Sequence, residues 1–234
     1  MCELLGISLA QEKDTSGEIR NFFNRSMFNP HGWGLGYYPD DRAPCARLFK
    51  DAGKASRSDM AQWLSGRPFP VKLLAGHVRF ATEGLTAYRN THPFVRECGG
   101  TDYIFVHNGK INPLSSSEEG RFTAIGDTDS ESLFCSLMNW IDQSGFGGAT
   151  DRFDSLHHKL QVLNQQGQLN CIFSDGVHLF CYYGLSEHMG LGYTRVDPQD
   201  GYIVSSYPII KAGDFKTFSP GQLIVFKDGT MVYS

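Results

Sequence analysis

Residues 153–183 read FDSLHHKLQVLNQQGQLNCIFSDGVHLFCYY, and within this stretch the spacing of the apolar side chains changes. Phe153, Leu156, Leu160 and Leu163 recur at intervals of three and four, which places them on one face of a helix. Leu169 to Phe173 and Val177 to Tyr183 are instead short apolar runs joined through Asp175-Gly176, the pattern of two strands closed by a tight turn. A helix that buries one stripe, followed directly by a hairpin, predicts a layer of helix packed on a layer of antiparallel sheet.

Working outward, the same two periods account for most of the chain. Before this stretch, Thr128-Asp129-Ser130-Glu131 has capping-box spacing, and Leu133, Phe134, Leu137, Trp140 and Ile141 follow at helical intervals. Beyond it, Tyr202–Ser205 and Leu223–Phe226 read as strands, with turns at Pro220-Gly221 and Asp228-Gly229. The N-terminal half opens on an apolar strand from Cys2 to Leu9. Ser16 then stands as the N-cap of a helix over about 17–27 that carries Ile19, Phe22, Phe23 and Met27. Asn29-Pro30-His31-Gly32-Trp33-Gly34 ends this helix and leads into a strand through Tyr38, and Met60, Trp63 and Leu64 mark a second helix stopped by Gly66 and Pro68. Val71–Thr82 reads as a strand that delivers polar groups at its end, and Tyr103–Val106 runs straight into His107-Asn108-Gly109. Strands, then helices, then strands, with no internal repeat and no low-complexity linker, predict an α+β fold in one domain spanning residues 1–234.

Composition narrows the function. With 41% hydrophobic residues in 234, the chain can bury a substantial core. Its 25 acidic and 21 basic residues are scattered, so there is no basic face for nucleic acid and no charged tail. Glu3 interrupts the apolar opening and no basic segment precedes it, so the start does not read as a signal peptide. No apolar run approaches a membrane span, and the expected setting is cytoplasmic. The six cysteines form no CxxC pair and read as reduced thiols; Cys135, Cys171 and Cys181 sit in apolar patterns as packing residues.

Cys2 is different because of its position. Removal of Met1 would place a thiol and a free α-amine on one residue, and an α-amine with a pKa of about 7.7 to 8.0 can take and return the thiol's proton without a histidine. With Met1 attached, that nitrogen is an amide and cannot act as a base. Three further residue types suit an α-amino-acid amide. Arg79 can clamp a carboxylate, Asp129 can receive an ammonium, and the Asn108 side chain with the Gly109 N–H can form a donor pair for an oxyanion. Taken singly each has a plainer reading: a solvated arginine at a strand end, an Asn-Gly turn, an aspartate in a helix cap.

Together these segments resemble the class II glutamine amidotransferase domain, a branch of the N-terminal nucleophile hydrolases, and most closely its small stand-alone members. The resemblance rests on the Met1-Cys2 start, His31-Gly32-Trp33-Gly34, Gly76-His77-Val78-Arg79-Phe80-Ala81-Thr82, His107-Asn108-Gly109-Lys110-Ile111 and Gly126-Asp127-Thr128-Asp129-Ser130-Glu131, in family order. It implies a four-layer alpha-beta-beta-alpha sandwich with two antiparallel sheets. It implies Cys2 as nucleophile, Arg79 on the glutamine α-carboxylate, Asn108 and Gly109 as oxyanion hole and Asp129 on the α-ammonium, with a γ-glutamyl thioester as intermediate and no metal or organic cofactor. Trp33, His77 and Thr82 are weaker candidates for the substrate pocket. His92 and His107 lack metal-ligand spacing.

The chain after Leu169 shows no phosphate loop or dinucleotide fingerprint, so an acceptor reaction would need a separate synthase subunit. The alternatives are hydrolysis of glutamine or of a larger γ-glutamyl amide or peptide, or a noncatalytic regulatory or scaffold role on the same fold. A homo-oligomer is compatible with all of them.

Overall fold

The computed structural model describes residues 2–39, 44–81, 84–112, 120–146, 151–184, 190–196, 200–210 and 214–234; Met1, Thr82, Gly147 and Gly148 are among those outside. Among the described residues thirteen strands fall into two sheets whose ladders are all antiparallel. The first sheet is built from β1 (Glu3–Asp14), β2 (Trp33–Tyr37), β3 (Arg47–Asp51), β4 (Pro70–Val78), β9 (Gly192–Arg195), β10 (Gly201–Ser205) and β11 (Lys216–Thr217), in the order β11-β9-β10-β1-β4-β2-β3. The second holds β5 (Phe94–Cys98), β6 (Thr101–Asn108), β7 (Asn170–Ser174), β8 (His178–Tyr183), β12 (Gln222–Lys227) and β13 (Thr230–Tyr233), in the order β13-β12-β8-β7-β6-β5.

Strand alternation sorts the core into three layers. Leu74 and Val78 of β4 point outward with Leu5 and Ile7 of β1. They pack under helix α1 (Ser16–Asn24), which contributes Ile19, Phe22 and Phe23, and α2 (Asp59–Ser65), which contributes Ala61 and Leu64. Leu73 and Ala75 of β4 and Leu4 of β1 point the other way, onto Ile104, Val106, Ile172 and Ile224 of the second sheet. The outer face of that sheet, with Phe105, Phe173, Phe180 and Tyr182, is covered by α3 (Asp129–Ser144) and α4 (Arg152–Asn164). Phe105 and Phe134 stack there at 4.9 Å. The result is the expected α-β-β-α sandwich. Among the described residues no helix is long and apolar enough to cross a membrane.

Several local expectations needed correction. The helix α1 begins at Ser16, the residue expected to cap it, so the cap lies one residue earlier than expected. Its N-cap is Thr15, whose hydroxyl donates to the Phe69 carbonyl, while the Ser16 N–H is taken by Asp14 Oδ1 at 3.0 Å. The helix ends at Asn24 and a single 3-10 turn, Arg25–Met27, completes the predicted span. The capping box of α3 is half formed. Thr128 Oγ1 accepts the Glu131 N–H at 3.2 Å, but the Glu131 carboxylate takes the Gly126 N–H and pairs with Arg96. The opening strand runs past Leu9 to Asp14, with a register shift against β4 between Ser8 and Lys13. The strands β3, β5, β9, β11 and β13 carry too little apolar alternation to be read from sequence.

Candidate active site

β1 and β4 lie side by side, with Glu3 opposite Val78, so residues 2 and 79 leave the sheet as neighbours. In the second sheet β6 ends at Asn108. The two strand ends meet at one edge of the inter-sheet layer, where the first turn of α3 closes a narrow cleft. Cys2, Arg79 and Phe80 line it from the first sheet, and His107, Gly109, Thr128, Asp129 and Ser130 from the second sheet and α3. A larger cavity of about 710 Å³ opens elsewhere, beside Leu9, Tyr38, Lys72 and Val177, but it contains none of the motif residues, and its charged lining is Glu12 and the Lys72–Asp228 ion pair. The motif residues therefore converge on the smaller cleft.

The Cys2 side chain is held by one residue. Its Sγ lies 3.3 Å from the Phe80 N–H that it accepts and 3.3 Å from the Phe80 carbonyl to which it donates. Burial pushes the Cys2 thiol up, while the Phe80 backbone contact and the Arg79 charge pull the other way. A thiol in that state needs a base to become a nucleophile. The Cys2 carbonyl accepts from Asn108 Nδ2 at 2.7 Å, which ties the first strand of one sheet to the last residue of β6 in the other. An amide nitrogen carries two protons, so this bond uses one and leaves the second.

Arg79 is buried, and its guanidinium donates to the carbonyls of Leu85 at 3.2 Å and Gly84 at 3.4 Å. The loop beyond it is fixed in turn, since the Ala81 N–H donates to His31 Nδ1 at 3.0 Å. Asp129 is oriented by two amides: Oδ2 accepts the Ile111 N–H and Oδ1 the Ser130 N–H, each at 2.8 Å. Gly109 adopts φ +154°, and a Cβ there would sit 1.8 Å from the Gln168 carbonyl oxygen, so any side chain at this position is strained and forces a backbone group to move. The Asn-Gly pair is thus a loop forced by close backbone approach rather than a hairpin turn.

Of the weaker candidates, His77 lines the cleft and Trp33 does not. Trp33 is fully buried in the outer layer under α1, edge-on to Phe23 at 4.8 Å, because its place opposite Val78 on the neighbouring strand turns it to the helical side. Thr82 lies outside the described residues. The sequence reading passed over the Phe80 backbone, Ser130, and the roles of His92 and His107, which line the same cleft. The adjacency of His107 to Asn108 was the available signal for the last of these.

The His77 and His92 rings lie tilted against each other with centroids 4.2 Å apart, and their ring nitrogens have no hydrogen-bond partner among the described residues. Burial lowers the His77 pKa to about 3, with Arg79 adding to the effect, and burial likewise holds His92 far below the usual imidazole value. Above about pH 6.5 neither the folded nor the unfolded chain protonates these rings; below it the unfolded chain binds protons that the folded one refuses. Stability is therefore lost as pH falls from about 6.5 toward 3, and for His77 alone the loss at pH 5 is about 2 kcal/mol. His92 and His107 act in the same direction. Urea midpoints measured between pH 7.5 and pH 5 are expected to fall steeply, and a flat profile would show that the rings are not buried in neutral form.

Comparison with known proteins bears on the family and the fold. The family model for class-II glutamine amidotransferases matches residues 1–198. The putative glutamine amidotransferase YafJ of Escherichia coli is 32% identical over 194 residues, covering 80% of this chain and 75% of that protein. The crystal structure of a predicted glutamine amidotransferase from Pseudomonas aeruginosa superposes over the full length of both chains with a TM-score of 0.73 at 23% identity. The glutamine phosphoribosylpyrophosphate amidotransferase of B. subtilis matches all of this chain and 49% of its own, with a TM-score of 0.71 at 17% identity. The last two likenesses bear on the fold; the first two fix the family. The chain belongs to the class II glutamine amidotransferases.

Proposed function

We propose that the mature chain, residues 2–234 acting as one unit, is a glutaminase in which Cys2 is the N-terminal nucleophile. The observation that supports this reading best is convergence: Cys2, Arg79, Gly109 and Asp129, from four separate segments, line one cleft, with Asn108 bonded to the Cys2 carbonyl. Arg79 takes the α-carboxylate of glutamine and Asp129 the α-ammonium, which sets the γ-carboxamide before Sγ. The Cys2 α-amine accepts the thiol proton as sulfur attacks the amide carbon. The oxyanion is met by the second Asn108 Nδ2 proton and the Gly109 N–H.

Collapse of the tetrahedral centre expels ammonia with the proton held by the amine and leaves a γ-glutamyl thioester. Water, deprotonated by the same amine, then attacks the thioester; glutamate departs and the thiol is restored. Where the ammonia is used in synthesis, a separate synthase subunit receives it.

The test is intact and peptide mass spectrometry of the natively processed protein before and after exposure to a diazoketone analogue of glutamine, with ammonia and glutamate assayed in parallel. Expected are loss of Met1, one adduct confined to Cys2, and equal release of ammonia and glutamate. Protein that has lost Met1 yet neither reacts at Cys2 nor turns over glutamine overturns the reading. Turnover of γ-glutamyl amides in preference to glutamine would reassign the leaving group and keep the nucleophile.

A further inference from the structure

His107 occupies the penultimate position of β6, and alternation turns its ring to the helical side of the sheet, where it lines the cleft beside the first turn of α3, while the Asn108 side chain turns the other way, onto the Cys2 carbonyl. The ring is buried and both nitrogens are engaged. Nε2 lies 3.0 Å from the Gln168 carbonyl, which can only accept, so Nε2 carries the hydrogen. Nδ1 is then a lone pair, and it accepts the Ser130 hydroxyl at 2.9 Å. Ser130 has one hydroxyl proton, which this bond consumes. Asp129 Oδ1 is therefore held by the Ser130 N–H at 2.8 Å rather than by the hydroxyl at 3.3 Å.

These contacts close a ring. The Gln168 carbonyl held by His107 is the wall against which Gly109 packs, and the Gln168 N–H donates back to the Lys110 carbonyl at 2.8 Å. Asp129 Oδ2 accepts the Ile111 N–H, joining the far end of the 109–111 loop to α3. One imidazole thus reaches both the residue behind the Gly109 loop and the residue beside Asp129. A nonpolar residue of the same size would fill the space and hold neither.

We propose that His107 is a positioning residue that locks the 109–111 loop and the Asp129 carboxylate into one unit, so that recognition of the substrate's ammonium and stabilisation of the oxyanion are set together. The functional half of this statement rests on the glutaminase reading; the positioning half does not. Glutamine at 107 offers an N–H for Gln168 and an oxygen for Ser130, so His107→Gln should keep the link that His107→Leu loses.

Two measurements on the natively processed protein decide the matter. In amide hydrogen exchange, His107→Leu is expected to speed exchange at residues 109–111 by about tenfold, the loss of one ordinary hydrogen bond, with residues 104–106 unchanged and His107→Gln close to wild type. If His107→Leu does not fold, Ser130→Ala cuts the Nδ1 link alone and should give the same local signature in weaker form. Unchanged exchange at 109–111, or an increase shared equally by 104–106, overturns the proposal. In steady-state assays on glutamine, His107→Leu should lower kcat by about 10²-fold, on the scale of one misplaced oxyanion donor, with a smaller rise in KM. Adding Ser130→Ala to it should then cost little more, because both act through one link. Fully additive losses would show that the two residues act separately. A protein inactive on glutamine that still shows the localised exchange change would remove the glutaminase reading and leave the positioning role standing.

Discussion

Cys2→Ala is expected to reduce glutamine hydrolysis by about 10⁴-fold or more, the scale seen when a covalent nucleophile is removed. Among the described residues the hydroxyls that line the cleft are committed elsewhere. The Ser130 hydroxyl proton is committed to His107, and the Thr128 hydroxyl caps α3 by accepting the Glu131 N–H. Alanine keeps the residue-2 carbonyl that Asn108 holds at 2.7 Å, and it leaves Arg79 and Asp129 on their own backbone anchors, so binding should survive. Calorimetric titration of the variant with glutamine should give an affinity within a few-fold of the wild-type value for glutamate. Turnover within tenfold of wild type would remove Cys2 from the mechanism. Loss of binding together with turnover would mean that the thiol holds the cleft together rather than reacting in it.

Gly109→Ala should be the most damaging single methyl in the molecule. At φ +154° an L side chain is strained, and its Cβ would overlap at 1.8 Å the Gln168 carbonyl, which His107 holds while the Gln168 N–H is tied to the Lys110 carbonyl. One partner has to move, and the Gly109 N–H moves with it. A loss of about 2–4 kcal/mol in stability is expected from strain and overpacking combined. Glutaminase activity should fall by about 10²- to 10³-fold in whatever remains folded, because a displaced donor no longer meets the oxyanion. Gly99→Ala is the control: it too has positive φ, +62°, but nothing lies within 4 Å of its Cβ, so only backbone strain of about 1 kcal/mol applies. Thermal denaturation of the two variants beside wild type separates strain from overlap. Equal shifts would show that the Gly109 loop relaxes freely and that its geometry is not imposed by Gln168.

Much of the site could be recognised before the fold was known because its residues stand at the ends of elements with strong local signatures. Arg79 follows an apolar strand, Asn108 ends another, and Asp129 opens a helix whose Thr128 cap is visible in the sequence and present in the structure. Trp33 could be read as a pocket wall or as a packing residue, since nothing local says which face of its strand a tryptophan between two glycines occupies, and the structure packs it under α1. The His77–His92 contact could not be foreseen, since it brings a β4 residue against one preceding β5 in the other sheet.

By itself the sequence determined the elements and their order, since helical and strand periodicities are local and survive in any window of a dozen residues. It also determined which segments carry the candidate reactive groups. Only the tertiary structure decided that β1 lies between β10 and β4, that Glu3 faces Val78, and that the ends of β4 and β6 meet across two sheets at the first turn of α3. Those are choices of pairing and register between residues tens of positions apart, made by complementary burial on both sheet faces. No local pattern contains them, and the cleft is formed by their outcome.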